Sequence, residues 1–209
     1  MMVADVAKAQ TCQVLKTWQV FVYLTMQALE PDRFYHIYNR GNNKQDIFFE
    51  KDNYFHFLRL IKKHLPPIAD IYCYCLLKNH FHLLVRIKED AVAPSKKFSN
   101  LFNAYTKAIN KKYHRTGSLF QKPFRRVSIE NETYLRNLVL YIHLNPEHHG
   151  IISNFEKYQF SSYSGYISDE NMNPLHTQII DLFEDRSNFT AVHHRRKNNL
   201  EQISNLILE

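Results

Sequence analysis

The order of the predicted elements indicates a compact α+β domain, with helices packed on one face of an antiparallel sheet. Short runs rich in β-branched and aromatic residues alternate along the chain with segments whose apolar residues recur every three or four positions. A composition of 44% hydrophobic and 22% charged residues is typical of a globular protein. With 4 glycines in 209 residues, we expect each glycine to lie at the end of an element.

Four segments are predicted to form strands. Residues 34–38 form a short strand that ends in a turn-rich loop at 39–43. Residues 71–77 and 79–85 form a hairpin whose tight turn is Lys78-Asn79, because asparagine tolerates positive φ. A last strand at 124–129 is predicted less clearly, since its alternation of polar and apolar residues is weak.

Three helices lie between and after these strands. The first is capped by Asp52 and ends before Pro66-Pro67, the second spans about 97–114, and the third begins at the N-cap Asn131 and is closed by Pro146. We therefore divide the chain into an N-terminal extension (1–32), a central domain (33–166) and a polar, helical C-terminal appendage (167–209).

The positive charge is concentrated in one interval. Lys+Arg 27 against Asp+Glu 20 gives a net charge of +7, and no acidic residue occurs between Asp90 and Glu130. A local basic surface indicates a polyanionic partner, with an ordinary solvated face as the alternative. The candidates for phosphate contacts are Lys107, Lys111, Lys112, Arg115, Arg125 and Arg126.

Four aromatic residues could stack on unpaired bases or lie in the core: Tyr38, Tyr105, Tyr113 and Phe120.

The cysteines suggest a reducing compartment. Cys12, Cys73 and Cys75 are odd in number and fit neither a disulfide framework nor the spacing of a zinc site, so we expect a cytoplasmic protein. The apolar stretch 18–26 is too short to span a bilayer and lacks a clear cleavage site, so no membrane association is expected. It could also be leader sequence upstream of a true start at Met26.

A pair of histidines is the first candidate for chemistry. On a strand, His80 and His82 project from one face about 7 Å apart, while Phe81 points to the other face. Two imidazoles on one face could converge on a metal ion, but two surface histidines on a half-buried sheet would give the same pattern. The pair therefore needs a partner elsewhere in the chain.

The third helix offers that partner. Tyr141 and Asn145 are four residues apart and lie one above the other, which puts a nucleophilic hydroxyl beside a carboxamide oxygen that could bind a metal. Tyr134, two turns earlier on the same side, is the rival nucleophile. His143 projects elsewhere around the helix and is interpreted as a structural or DNA-contact residue.

These segments together resemble a known family, the IS200-like single-tyrosine transposases, in particular the REP-associated tyrosine transposases. The resemblance runs from about Arg33 to Tyr166. It rests on the order and spacing of Tyr38-Asn39-Arg40-Gly41, His80-Phe81-His82, Gly117-Ser118-Leu119-Phe120-Gln121, Tyr141-Ile142-His143-Leu144-Asn145-Pro146 and Ser161-Ser162-Tyr163. The chain departs from the family at Glu147-His148-His149-Gly150, where relatives usually carry a small apolar and a basic residue before the glycine.

The resemblance implies a histidine-hydrophobe-histidine endonuclease on an RRM-like, ferredoxin-type fold that acts on single-stranded or hairpin DNA. It makes His80, His82 and Asn145 the ligands of a divalent metal, Mg²⁺ or Mn²⁺, and Tyr141 the nucleophile. It also suggests that Asn39 and Arg40 contact bases. Relatives differ in whether two subunits exchange the tyrosine helix, so both a homodimer and a monomer stay open.

Two other functions compete with this one. A non-catalytic, RRM-like nucleic-acid-binding protein would need only the sheet, its aromatic residues and the basic surface. A metal-dependent hydrolase would use water as its nucleophile and would not need Tyr141.

Overall fold

The computed structural model describes residues 28–168 and 173–196, so Cys12 and the apolar stretch 18–26 lie outside the described residues. Four antiparallel strands form one sheet: β1 (Phe34–Arg40), β2 (Ala69–Leu77), β3 (His80–Ile87) and β4 (Arg125–Ser128). Their order is β2-β3-β1-β4. The predicted α+β fold, with helices packed on an antiparallel sheet, is confirmed.

The two long helices before β4 cover one face of the sheet. Helices α1 (Lys51–His64) and α2 (Pro94–Lys112) pack their apolar stripes against Ile37, Phe81 and Val85. The predicted N-cap of α1 was wrong by two residues. Glu50 is the N-cap, and it forms a reciprocal capping box with Asn53 that the sequence rule for Ser or Thr caps does not anticipate.

The opposite face is half covered, although the sequence analysis placed helices on one face only. Helix α3 (Glu132–His148) packs over β2 and β3 and forms a second core with side chains such as Cys73, Cys75 and Leu84. The N-cap of α3 was predicted correctly, since Asn131 Oδ1 accepts a hydrogen bond from Tyr134 N at 2.8 Å. Its end was not, because Pro146 lies inside the helix.

The segment after α3 completes this second core. Residues 160–162 pair with the edge of β2, where Leu76 N donates to Phe160 O and Ser162 N donates to Tyr74 O. Three short helices follow: α4 (Tyr163–Ile167), α5 (Pro174–Asp181) and α6 (Arg186–Arg196). Helices α5 and α6 belong to the predicted appendage, yet they contribute Ile179 and Phe189 to the core.

The two described cysteines lie in the core and, as their spacing indicated, form no disulfide with each other. Cys73 and Cys75 are free, buried thiols in the second core, and burial raises the pKa of each. Over the described ranges, we find no helix with the length and apolarity that crossing a membrane requires.

Candidate active site

The histidine pair lies on the half-covered face, at the boundary between α3 and the open part of the sheet. The alternation of β3 puts both imidazoles on that face, and their ring centroids are 5.1 Å apart at an interplanar angle of 88°. His82 is 1% exposed, and His80 is partly exposed towards a cleft.

Each imidazole is held through its Nδ1 atom. His80 Nδ1 lies 2.6 Å from Asn79 Oδ1, and the Asn79 amide is oriented by a hydrogen bond from its Nδ2 to Lys44 O at 3.3 Å. Since Asn79 Oδ1 only accepts, His80 Nδ1 is the donor and its Nε2 keeps a lone pair. His82 Nδ1 lies 2.9 Å from His36 Nε2 on the neighbouring strand.

Burial keeps both imidazoles neutral. It lowers the pKa of His80 to about 3, with smaller contributions from His149 and Arg40 that act in the same direction. The pKa of His82 is also far below the ordinary value, chiefly because the ring is buried and then because His80 and His36 are close. Neutral imidazoles present lone pairs, which is the protonation state that a metal ligand needs.

Helix α3 brings the predicted tyrosine and asparagine to the same place. The Tyr141 ring meets the His82 ring edge to face, with centroids 5.4 Å apart and an interplanar angle of 85°. Tyr141 is 2% exposed, and its contact with His82 is made within one chain. The rival Tyr134 is partly buried, and burial, followed by the nearby Tyr38, raises its pKa.

Asn145 is completely buried one helical turn beyond Tyr141. Neither its Oδ1 nor its Nδ2 makes a hydrogen bond of ordinary geometry within the described residues, although the carboxamide is close enough to His80 to raise the pKa of that imidazole. Leaving such a group unsatisfied costs about 1–3 kcal/mol. A cation bound to Oδ1 would offset that cost.

The donor set fits a divalent cation. It consists of two neutral imidazoles and one carboxamide oxygen, a mixed nitrogen and oxygen set that suits Mn²⁺ and, less well, Mg²⁺. The asparagine is needed to complete the set, because the part of the chain that the structure describes contains no group of three or more acidic, histidine or cysteine residues that could hold a metal.

A cleft of about 490 Å³ opens beside the histidines, along the uncovered part of the sheet. Tyr38 and Arg125, which are paired across β1 and β4, form its floor together with Val127. Arg40 is exposed at one end and His149 lines the α3 side, where its ring centroid is 4.9 Å from that of His80. Among the residues that the structure describes, none with an acidic side chain lines the cleft.

Four of the predicted DNA-contact residues border this cleft: Asn39, Arg40, Arg125 and Arg126. Arg40 and Arg125 lie on the histidine face, but Asn39 and Arg126 point to the other face of the sheet. Arg126 donates to Ser95 Oγ at 2.7 Å and its guanidinium lies 4.2 Å from the centre of the Phe124 ring. Asn39 donates to Gln121 O at 3.2 Å.

The other four predicted contacts are not brought to the cleft. Lys107, Lys111 and Lys112 lie on the exposed side of α2, across the sheet from the histidines, and Lys112 is paired with Glu50. Arg115 follows α2 and donates to Gln45 Oε1 at 2.6 Å. A contact of these residues with DNA stays a prediction.

Of the four aromatic residues that could stack on bases, one lines the cleft and others are buried away from it. Tyr38 lines the cleft. Tyr105 and Phe120 are buried in the first core, and Tyr105 donates its hydroxyl hydrogen to Ile47 O at 2.7 Å, so for these two residues the core alternative holds. Tyr113 is partly buried and donates to Asn53 Oδ1 at 3.1 Å.

The sequence did not identify two histidines of the site. His36 is completely buried beside His82, and the pairing of β1 with β3 that brings them together cannot be read from either segment alone. His149 belongs to the segment in which the chain differs from the pattern of the family it resembles. That difference is the sequence feature that could have identified His149 as a site residue.

His143 has a structural position within the second core. Its Nε2 lies 3.0 Å from Ser162 Oγ and its Nδ1 lies 3.1 Å from His193 Nε2. His193 Nδ1 in turn donates to Phe189 O at 2.7 Å. Because a carbonyl only accepts and burial keeps both rings neutral, His193 accepts from His143, and His143 accepts from Ser162.

Comparison with known proteins identifies fold relatives only. No protein-family model and no curated protein sequence matches the chain. Among solved structures, a bacterial tRNA(His) guanylyltransferase-like protein in complex with ATP covers 84% of this chain at 12% identity and a TM-score of 0.41. That similarity is too weak to support an inference.

A second solved structure with a similar fold is a REP-associated tyrosine transposase bound to a REP hairpin. It covers 72% of this chain and 87% of its own length, at 16% identity and a TM-score of 0.57. Sequence identity at this level supports a shared fold but not a shared activity. The chain therefore shares its fold with a REP-associated tyrosine transposase, the family branch that its sequence motifs resemble.

Proposed function

We propose that this protein is a single-stranded DNA endonuclease and strand transferase that acts through a covalent phosphotyrosine at Tyr141. The observation that carries the proposal is the edge-to-face contact between Tyr141 and His82 in one chain, with the buried Asn145 carboxamide one turn away. A structural tyrosine would not need a neutral histidine pair and an unsatisfied amide beside it.

His80 Nε2, His82 Nε2 and Asn145 Oδ1 would hold the cation, since the Nδ1 atoms of both histidines are already engaged. When bound, a divalent cation polarises a non-bridging phosphate oxygen and stabilises the negative charge of the transition state. Neutral ligands suit this role because they leave the positive charge of the ion undiminished.

In the proposed reaction, Tyr141 Oη bonds to phosphorus while the bond from phosphorus to the 3′ oxygen breaks. A tyrosine with a pKa near 10 must release its proton during the attack. The departing 3′ oxygen takes up a proton, so the step is balanced. The products are a 5′-phosphotyrosine and a 3′-hydroxyl, and attack by a 3′-hydroxyl reverses the step and rejoins a strand without an external energy source.

The open cleft supplies a path for the strand. Arg40 and Arg125 lie on the histidine face and can contact phosphates, and Tyr38 can stack on an unpaired base. The fold relative is bound to a REP hairpin, so we propose a DNA hairpin with a single-stranded flank as the substrate class.

The test is formation of a covalent adduct. The protein is incubated with end-labelled hairpin DNA that carries single-stranded flanks, in the presence of Mn²⁺, and is analysed on a denaturing gel. We expect wild type and Tyr134→Phe to form a protein–DNA adduct, and Tyr141→Phe to form none, because Tyr141 is the candidate nucleophile on α3 whose ring packs against His82.

Each alternative gives a distinct result. An adduct that persists in Tyr141→Phe and disappears in Tyr134→Phe would assign the nucleophile to Tyr134. Strand cleavage without an adduct would favour a hydrolase that uses water. Binding of the DNA without cleavage, and with no response to metal, would favour the non-catalytic nucleic-acid-binding protein.

A further inference from the structure

We propose that His36 is a positioning residue that fixes which nitrogen of His82 faces the metal. The inference deepens the proposed function and rests on it. It concerns a completely buried side chain on β1 that neither the sequence motifs nor the proposed chemistry had used.

The contact between the two rings is specific. His36 Nε2 and His82 Nδ1 are 2.9 Å apart, a hydrogen-bond distance, and the ring planes differ by 23°. The His36 ring is also stacked on Tyr38, with centroids 4.6 Å apart. It is therefore held between a cleft residue and the proposed ligand and has little freedom to turn.

The hydrogen bond constrains the location of one proton. In the first arrangement, His82 Nδ1–H donates to His36 Nε2, and His82 Nε2 keeps its lone pair. The proton of a neutral His36 is then on Nδ1, which has no hydrogen-bond partner among the described residues. In the second, His36 Nε2–H donates to His82 Nδ1, and the proton of a neutral His82 is then on Nε2, where it blocks coordination. Only the first arrangement is compatible with a metal at His82 Nε2.

His80 shows the same design with a different partner. Its Nδ1 donates to Asn79 Oδ1, which leaves Nε2 for the cation. Histidine ligands generally donate their second N–H to such an acceptor, and loss of the acceptor typically weakens metal affinity by about 10–100-fold. In the proposed arrangement, His36 accepts the hydrogen bond from His82 Nδ1 as Asn79 accepts the one from His80 Nδ1.

A matched pair of substitutions tests this role. Gln can offer its Oε1 where His36 offers Nε2, whereas Met has a similar length but is only a weak acceptor. We expect His36→Gln to bind Mn²⁺ within a few-fold of wild type and His36→Met to bind it about 10–100-fold more weakly, as measured by electron paramagnetic resonance of free Mn²⁺. Melting curves without metal establish that both variants are folded.

Equal Mn²⁺ affinity in wild type, His36→Gln and folded His36→Met would overturn the role of His36. Failure of the His36 role can be told apart from failure of the proposed metal site, because His82→Ala tests the metal site directly. Unchanged Mn²⁺ binding in His82→Ala would remove the site itself, whereas loss in His82→Ala together with normal binding in His36→Met would remove only the inference.

A measurement on the wild-type protein is independent of whether any variant folds. In protein labelled with ¹⁵N-histidine, addition of Mg²⁺ is expected to leave His82 protonated at Nδ1, with a hydrogen-bonded coupling to His36 Nε2. A metal-bound protein in which His82 carries its proton on Nδ1 but shows no coupling to His36 Nε2 would overturn the proposal.

Discussion

At the scale of single residues, Asn145 is the clearest sign that this core serves something other than stability. A completely buried carboxamide without ordinary hydrogen bonds is rare in folded proteins, because its desolvation is not compensated. Replacing it with an apolar side chain of similar size removes that penalty and also removes the third proposed ligand.

We therefore expect Asn145→Leu to be more stable than wild type without metal, by about 1 kcal/mol. In contrast, Mn²⁺ should raise the melting temperature of wild type but not of Asn145→Leu. Urea unfolding and thermal melting with and without Mn²⁺ measure the two effects. A variant that is destabilised without metal, and still stabilised by Mn²⁺, would contradict the proposed role of Asn145.

The sequence indicated most of the proposed ligand set, because the relevant relations are local. Alternation along one strand puts His80 beside His82, and one helical turn puts Tyr141 beside Asn145. His36 could not be found in this way. It contacts His82 from 46 positions away in the chain, through a strand register that only the folded sheet defines.

At the scale of elements, α3 is held by a buried chain of hydrogen bonds as well as by apolar packing. Ser162, His143 and His193 connect the β2 edge, α3 and α6 in sequence. Burial lowers the pKa of His193 to about 4, and the pKa of His143 lies well below its ordinary value for the same reason. Both rings are therefore neutral in the folded state.

This arrangement predicts a loss of stability in acid. The folded state holds His193 neutral, whereas in the unfolded chain the same imidazole binds a proton with a pKa near 6.5. The contribution of His193 to the free energy of unfolding is therefore fully present above pH 6.5 and is lost as the pH falls towards 4. Between pH 7 and pH 5, His193 alone should remove about 2 kcal/mol from the free energy of unfolding.

The matched control is His193→Gln, which cannot titrate but can accept the hydrogen bond from His143. Urea unfolding at pH 7 and pH 5 should give the wild type a larger loss than the variant. Equal losses in the two proteins would show that His193 does not contribute.

The ends of these elements were harder to predict than their existence. The apolar stripe of α1 was sufficient to locate the helix, but the capping box of Glu50 and Asn53 moved its start from the expected Asp52. Pro146 was expected to close α3. The helix instead continues to His148, and His149 N donates to Asn145 O at 3.0 Å beyond the proline.

At the scale of the whole molecule, the basic interval between Asp90 and Glu130 is divided by the sheet. Arg125 faces the cleft, and Lys107 lies on the outer surface of α2 across the sheet. The sequence assigned phosphate contacts to both, since charge density along the chain carries no information about which face a residue occupies.

Salt dependence distinguishes the two surfaces. If the strand follows the cleft, Arg125→Gln should weaken binding of single-stranded DNA and reduce the slope of log affinity against log salt by about 0.7. Lys107→Gln should leave both unchanged. Affinity measured by fluorescence anisotropy over a range of NaCl concentrations tests this, and an equal effect of the two substitutions would indicate a path over α2 instead.

The packing of α3 also bears on how two copies of the chain could assemble. The helix that carries Tyr141 contributes Leu138, Val139 and Leu144 to the second core, each completely buried and stabilising the fold by about 1.5–3 kcal/mol. Exchange of this helix between subunits would first have to dismantle that core. Subunits that had folded with their own α3 would therefore trade it only as fast as they unfold.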